Sequence, residues 1–263
     1  MAKEKVLVTG ASGLIGQLTV EALADRYDFT ALNRRPMANI PCLQADISNL
    51  ESIRPAFKDV DKVLHLAAYT EDVDCWPETM TITVNGALNV FRAAQEAGVG
   101  RVVFMSSGST MCGYEWGEDS PYGLMAAGRY QEVPDEWPMV STDWAPRPDS
   151  PYAVGKLFGE TCGRYFADQY NMSVIVIRLG AVLNTNRPQL RRHFPGYLSQ
   201  SDAIQMIDKC LSAPEHMRYR IFDAISENRW RWRDTTPAKT ELGWDPSGSS
   251  DEFEGDFNQC ISE

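Results

Sequence analysis

The sequence predicts an α/β fold: a doubly wound parallel sheet with helices on both faces and a small C-terminal lobe. Three observations carry this reading. Short apolar runs alternate with segments of helical periodicity along the chain, the pattern of buried parallel strands joined by crossover helices. A glycine-rich turn lies between the first run and the first helical segment. Hydroxyl-bearing and small residues gather where the runs end, at the carboxyl edge at which open α/β sheets bind ligands.

The 263 residues suit one α/β domain with an appended lobe, and 43% of them are hydrophobic, enough to bury a core. No run approaches the roughly 18 apolar residues of a membrane span. Met1-Ala-Lys-Glu-Lys5 leads directly into a strand, which reads as no secretory signal and no membrane partner. The net charge of −11 argues against nucleic acid, whose phosphates require a basic surface. Lys accounts for only 7 of the 25 basic residues, a bias that fits either a salty cytoplasm or a GC-rich genome. Six scattered cysteines with no Cys-x-x-Cys pair, and only three His, suit reduced cytoplasmic thiols and no metal site.

The first strand, Lys5–Thr9, runs into Gly10-Ala-Ser-Gly13-Leu-Ile-Gly16 and then a helix through Leu23. Gly10 makes the tight turn, Gly13 admits a pyrophosphate to the backbone, and Gly16 lets helix and sheet pack closely. The helix N-terminus faces the phosphates. In this context the glycines predict a Rossmann-type nucleotide cofactor site, with Ser12, Leu14 and Ile15 as further members.

The next strand, Phe29–Leu32, ends at Asn33-Arg34-Arg35, with no carboxylate for a ribose. Asn33 can bond a hydroxyl and Arg34 a 2′-phosphate, so NADP is favoured and NAD remains possible; the alternative is a pair of solvated loop arginines. A short strand at Cys42–Gln44 precedes Asp46-Ile47, read as an adenine contact or a helix cap. In Lys62–Ala68, Leu66, Ala67 and Ala68 bring backbone close to the cofactor, and His65 reads as a core histidine. Thr81–Ala97 is helical and Gly98 stops it. Arg101–Met105 then delivers Ser106-Ser-Gly-Ser-Thr110 to the ligand edge.

Cys112–Arg147 is irregular and rich in aromatic residues, among them Tyr114, Trp116, Tyr122, Tyr130, Trp137 and Trp144. A connection this long is functional or mobile; it reads either as a lid or as a loop sealed onto the body. After it, Ser150 and Pro151 open a helix in which Tyr152 and Lys156 share one face, four residues apart. A cation beside a phenol favours the phenolate, lowering a pKa of about 10 toward the range of a general base. Ser173–Arg178 and Arg218–Ala224 are strands, Ser199–Leu211 and Pro237–Leu242 helices, and the acidic tail from Ser247 is expected to fray. Arg187, Arg191 and Arg192 read as an anion grip or as a turn paired with nearby acids.

Taken together, Thr9–Gly16, His65-Leu-Ala-Ala68, Val84-Asn-Gly-Ala-Leu-Asn89, Ser106-Ser107 and Tyr152-x-x-x-Lys156 resemble the extended short-chain dehydrogenase/reductases, the epimerase/dehydratase superfamily. A narrower resemblance lies in Arg147-Pro-Asp-Ser-x-Tyr152, Ile177-Arg-Leu-Gly180, Tyr197-Leu-Ser199, Glu227-Asn-Arg229 and Leu242-Gly-Trp-Asp-Pro246. These look like the uronate dehydrogenases and the haloarchaeal NAD-dependent glucose-6-phosphate dehydrogenases, which oxidise the anomeric carbon of a cyclic sugar to a lactone.

The resemblance implies Tyr152 as base, Lys156 as its partner and ribose ligand, and Ser107 as the hydroxyl that orients the reacting oxygen; counting back from Gly113 selects Gly108 instead, which leaves Ser109 as the alternative hydroxyl in the substrate site. It also implies Asn85 as a buttress of Lys156 near the cofactor, and Arg192 as a grip on a substrate carboxylate. Asn33 and Arg34 depart from the acidic NAD-selecting pattern, and Ala181 stands where the uronate enzymes carry a serine. The expected protein is a cytoplasmic, homo-oligomeric NAD(P)-dependent dehydrogenase of a small sugar, whether uronate, sugar phosphate or aldose. It forms one domain over 1–263, with substrate-lobe segments at about 182–200 and 225–263 and a lid-like loop at about 112–147. The alternatives are a nucleotide-sugar epimerase or dehydratase and, from another class, a non-catalytic NAD(P)-sensing regulator.

Overall fold

A computed structural model describes residues 3–260, side chains at 256–259 excepted; residues 1–2 and 261–263 of the expected domain and tail lie outside the described residues. Seven strands form the sheet: β1 Glu4–Thr9, β2 Tyr27–Asn33, β3 Cys42–Gln44, β4 Lys62–His65, β5 Arg101–Ser107, β6 Ser173–Leu179 and β7 Tyr219–Ala224. Their order is β3-β2-β1-β4-β5-β6-β7 and every pairing is parallel. The order reverses between β1 and β4, which opens a crevice at the carboxyl ends of these two strands.

Side-chain alternation divides the core between the two faces. Val6, Val8, Val103, Met105, Ile175 and Ile177 pack under the helices Leu14–Leu23 and Gln200–Leu211. Leu7, Val102, Phe104, Val174 and Val176 pack under Asn85–Glu96 and Pro151–Tyr170. Burial of each such side chain stabilises the fold by about 1.5–3 kcal/mol, so the apolar runs themselves position the ligand edge.

The helix expected at Thr81–Ala97 is longer and less regular. It begins at Trp76, winds as π-helix over Thr79–Val84, and continues as α-helix over Asn85–Glu96 before Gly98, whose φ of 74° ends it. The segment 112–147 is bound to the body by its own small core of Met111, Tyr122, Met125, Val140 and Trp232. Tyr130 stacks on Trp230 at 4.7 Å, and Trp137 Nε1 donates to Arg231 O.

The segments at 182–200 and 225–260 meet each other. Asn228 Nδ2 donates to Tyr197 O at 2.8 Å and Ser226 N to the same carbonyl at 3.0 Å. The tail does not fray at Ser247. Ser247 N and Gly248 N donate to the buried Asp202 carboxylate, Ser250 N donates to Asn228 Oδ1, and Ser250–Gln259 then winds as 3₁₀ turns. Composition suggested solvation there, but fixed acceptors inside the lobe hold the backbone.

Candidate active site

At the crevice, Gly10 has φ of 73°, and a Cβ on it would stand 2.9 Å from Ala67 N. A Cβ on Gly16 would stand 2.5 Å from Ala11 Cα, so only glycine allows helix and loop to approach this closely. The helix Leu14–Leu23 has no side-chain cap and no acid in its first turn, which leaves its leading N–H groups for an anion. Ser12 and Gly13 line the adjoining cleft of 340 Å³, whose opposite wall is formed by Leu66, Ala67 and Ala68. Leu14 and Ile15 begin the helix, Ile15 turned toward the core, and neither lines the cleft.

Asn33 supplies a test of whether a dinucleotide fits. It is 5% exposed, it lines the cleft, and both Oδ1 and Nδ2 lack a partner. Leaving such groups unsatisfied costs about 1–3 kcal/mol each, and a ribose diol would satisfy both. Arg34 and Arg35 are exposed at the same end of the cleft. Asp46 lines it too, while its Oδ1 accepts from Ser48 N in a turn; the helix cap proper is Asn49. Ile47 is buried against Gly86, and Asn89 Nδ2 donates to its carbonyl at 2.9 Å.

Asn85 is not where a buttress of Lys156 would be. The π turns rotate its side chain into solvent, and Thr79 and Thr83 face the Lys156 helix at Gly155 instead. Thr83 Oγ1 accepts from Tyr69 N at 3.1 Å, a contact that periodicity alone does not reveal. Lys156, 2% exposed, donates to Met105 O at 2.8 Å, and its Nζ lies 5.5 Å from the Tyr152 ring. Burial pulls its pKa down to about 7.

The Tyr152 phenol has its pKa pushed up to about 12, chiefly by burial; the nearby Ser107 hydroxyl opposes this rise and Asp149 adds to it. The expectation that Lys156 lowers this pKa is therefore corrected for this arrangement: desolvation of the phenol wins and the ammonium is turned to a carbonyl. His65 is a core residue, its Nδ1 2.6 Å from Thr9 Oγ1. Cys112, whose thiol burial pushes well up, donates to Gly108 O.

Beyond Tyr152 the site opens into a cavity of 830 Å³ bordered by Ser109, Glu115, Asp149 and Arg192, with the exposed Trp116 at its mouth. A smaller recess of 220 Å³ adjoins it, lined by Ser107, Gly108 and Arg233. Arg192 thus stands beside the serine turn, but its Nη2 is 3.2 Å from Glu115 Oε2 and 3.3 Å from Asp149 Oδ2. Two backbone bonds build this cluster, Gly113 N to Arg147 O at 2.7 Å and Asp149 N to Ser109 O at 3.2 Å. Arg233 is buried against Gly108, where a Cβ would stand 2.1 Å from its Nη1, and that Nη1 lies 3.1 Å from Asp223 Oδ1. Glu115, Asp149 and Arg233 were not singled out from sequence. Asp149 adjoins the helix cap and was the more visible, whereas nothing local marks the other two.

Parallel strand ends, a glycine cleft and a Ser–Tyr–Lys group at one edge define a dinucleotide-dependent oxidoreductase-type site. Residues 6–209 match the NAD dependent epimerase/dehydratase family, and the chain belongs to it. It is 30% identical over 260 residues to an NAD-dependent glucose-6-phosphate dehydrogenase of Haloferax volcanii, covering 95% of each chain. An L-arabinose 1-dehydrogenase (NAD(P)(+)) of the same organism is 28% identical over 94% of this chain and 97% of its own. A uronate dehydrogenase of Pseudomonas putida is 27% identical over 95% of this chain and 86% of its own. Two crystal structures of uronate dehydrogenase from Agrobacterium tumefaciens, one a variant complexed with NAD, share the fold with TM-scores of 0.82. They are 24% and 23% identical and cover 99% of this chain and 91% of theirs.

Proposed function

We propose that this chain is an NAD(P)-dependent sugar 1-dehydrogenase that oxidises the anomeric carbon of a small sugar to a lactone. The observation that carries the reading is the grouping of Ser107, Tyr152 and the buried Lys156 at one edge of the sheet, beside the glycine cleft and the cavity bordered by Ser109 and Arg192. Gly10, Ser12, Gly13 and Asn33 would hold the dinucleotide, with Arg34 favouring NADP; once bound, it supplies a hydride acceptor. Tyr152 takes the proton of the anomeric hydroxyl, and Ser107 orients that oxygen. Lys156 lies beneath the phenol, its Nζ 5.5 Å from the ring and donating to Met105 O, in the position of a ribose ligand.

Burial raises the phenol above its ordinary value, so the phenolate is a minor species at neutral pH and its share grows as pH rises. Oxidation should accordingly accelerate with rising pH, the sign required of a base that must first lose its own proton. The test combines a pH profile of kcat/KM with Tyr152→Phe. This variant should lose turnover by about 10²–10⁴-fold while retaining cofactor binding. Near-normal turnover, or a profile falling with pH, overturns the assignment.

Exposed Phe158, Tyr165 and Tyr170 on the Tyr152 helix form an apolar face that fits a homo-oligomer. No helix among the described residues is long and apolar enough to cross a membrane.

A further inference from the structure

The geometry points to a neutral aldose as the substrate, with Glu115 and Asp149 as the residues that exclude its uronate and phosphate forms. This rests on the dehydrogenase reading above and deepens it.

An anionic substrate needs a cation whose charge is not already satisfied within the site. Each guanidinium on the cavity walls is held by a carboxylate of this chain. Arg129 is paired with Glu132, Arg192 with both Glu115 and Asp149, and Arg233 with Asp223. The Arg192 cluster alone sets two carboxylates against one guanidinium. Asp74 and Glu118 add two further carboxylates to the same wall. A substrate carboxylate or phosphate would have to displace Glu115 or Asp149 from Arg192 and then lie beside the displaced anion.

The acids are anchored in place. Glu115 and Asp149 expose only 11% and 14% of their side chains, and Asp149 also accepts from Ser150 Oγ at 3.0 Å. His193 on the recess wall accepts backbone N–H groups of Gln189 and Leu190 at Nδ1, which assigns the ring proton to Nε2. What this surface offers is acceptors for hydroxyl donors, with Ser109 as a donor to hydroxyl oxygens. That set recognises a polyol. It also gives a physical sense to Ala181, which lines the recess without a polar group.

The experiment uses the full-length protein with matched gluco- and galacto-series sugars: the free hexose, the uronate and the 6-phosphate, together with arabinose and xylose. Initial rates are read with each cofactor, and calorimetric binding is read on the cofactor-loaded protein. A neutral sugar should exceed its anionic relatives by at least about tenfold in kcat/KM and in affinity. Glu115→Gln should raise uronate kcat/KM and narrow that gap by about tenfold, and Asp149→Asn, nearly isosteric, should act in the same direction. A uronate or phosphate preferred by the unaltered protein overturns the inference while leaving the dehydrogenase reading intact. So does a gap unmoved by either variant. Tight binding of a neutral sugar with no turnover of any sugar overturns the dehydrogenase reading, and with it the sugar's role as substrate, while leaving the cavity's selection against anions standing. Binding of no sugar overturns both.

Discussion

The cofactor cleft and the substrate cavity adjoin each other, but they are built in opposite ways. The cleft is made by neighbours in sequence: Gly10 and Gly13 belong to one turn, Gly16 to the helix that follows at once, and Asn33 ends the next strand. The cavity is made by distant partners. Arg192 meets Glu115 across 77 residues and Asp149 across 43. In the first region backbone conformation dictates residue type. In the second, long-range ion pairing dictates what a residue type means, so an arginine that reads as an anion grip is paired in the fold with two carboxylates of its own chain.

The largest expected effect tests whether the cavity truly hangs on distant charges. Beneath the serine turn, Ser106 Oγ donates to Glu160 at 2.6 Å, and Arg178 makes two bonds to the same carboxylate, with the pair 2% and 5% exposed. Glu160→Ala would leave a buried guanidinium without its partner and should cost about 3–5 kcal/mol of stability, read from the urea midpoint. A loss below about 1 kcal/mol would mean that the site edge is held by apolar packing alone, and the contrast between the two regions would weaken.

The next effect concerns the local region. If cofactor choice is written in one strand end, Arg34→Asp should move the ratio of kcat/KM for NADP over NAD by about tenfold or more, roughly 1.4 kcal/mol. An unchanged ratio would remove Arg34 from cofactor selection and leave the cleft reading only the ribose, through Asn33.

Legibility followed the same division. The seven strands, the glycine turn, the Ser150 cap and the Gly98 stop were readable because each is a short-range matter of periodicity, capping or a positive φ. Asn85 misled because the π turns before it rotate the helix, a register change that no 3.6-residue count contains. The tail misled because Asp202, the acceptor that docks it, lies 45 residues upstream of Ser247. Glu115 and Arg233 had no local mark, and the phenol's raised pKa follows from burial that a Tyr-x-x-x-Lys spacing does not specify.

The smallest effect is the finest probe of the division. Ser120 and Ser150 cap their helices identically in kind, Ser120 Oγ accepting from Gly123 N at 3.0 Å and Ser150 Oγ from Ala153 N at 3.2 Å. Each serine-to-alanine change should remove about 1 kcal/mol from its own helix. Ser150 caps the long helix packed on the sheet, whereas Ser120 caps a short helix in the 112–147 wall, whose small core is separate from both sheet-face cores. Ser150→Ala should therefore lower the global urea midpoint. Ser120→Ala should instead speed amide exchange within the wall with little change in that midpoint, since local openings in a semi-independent unit lie below global unfolding. Equal shifts of the global midpoint in both variants would place the wall in the same cooperative unit as the sheet. The substrate cavity would then owe its geometry to the sheet as directly as the cofactor cleft does.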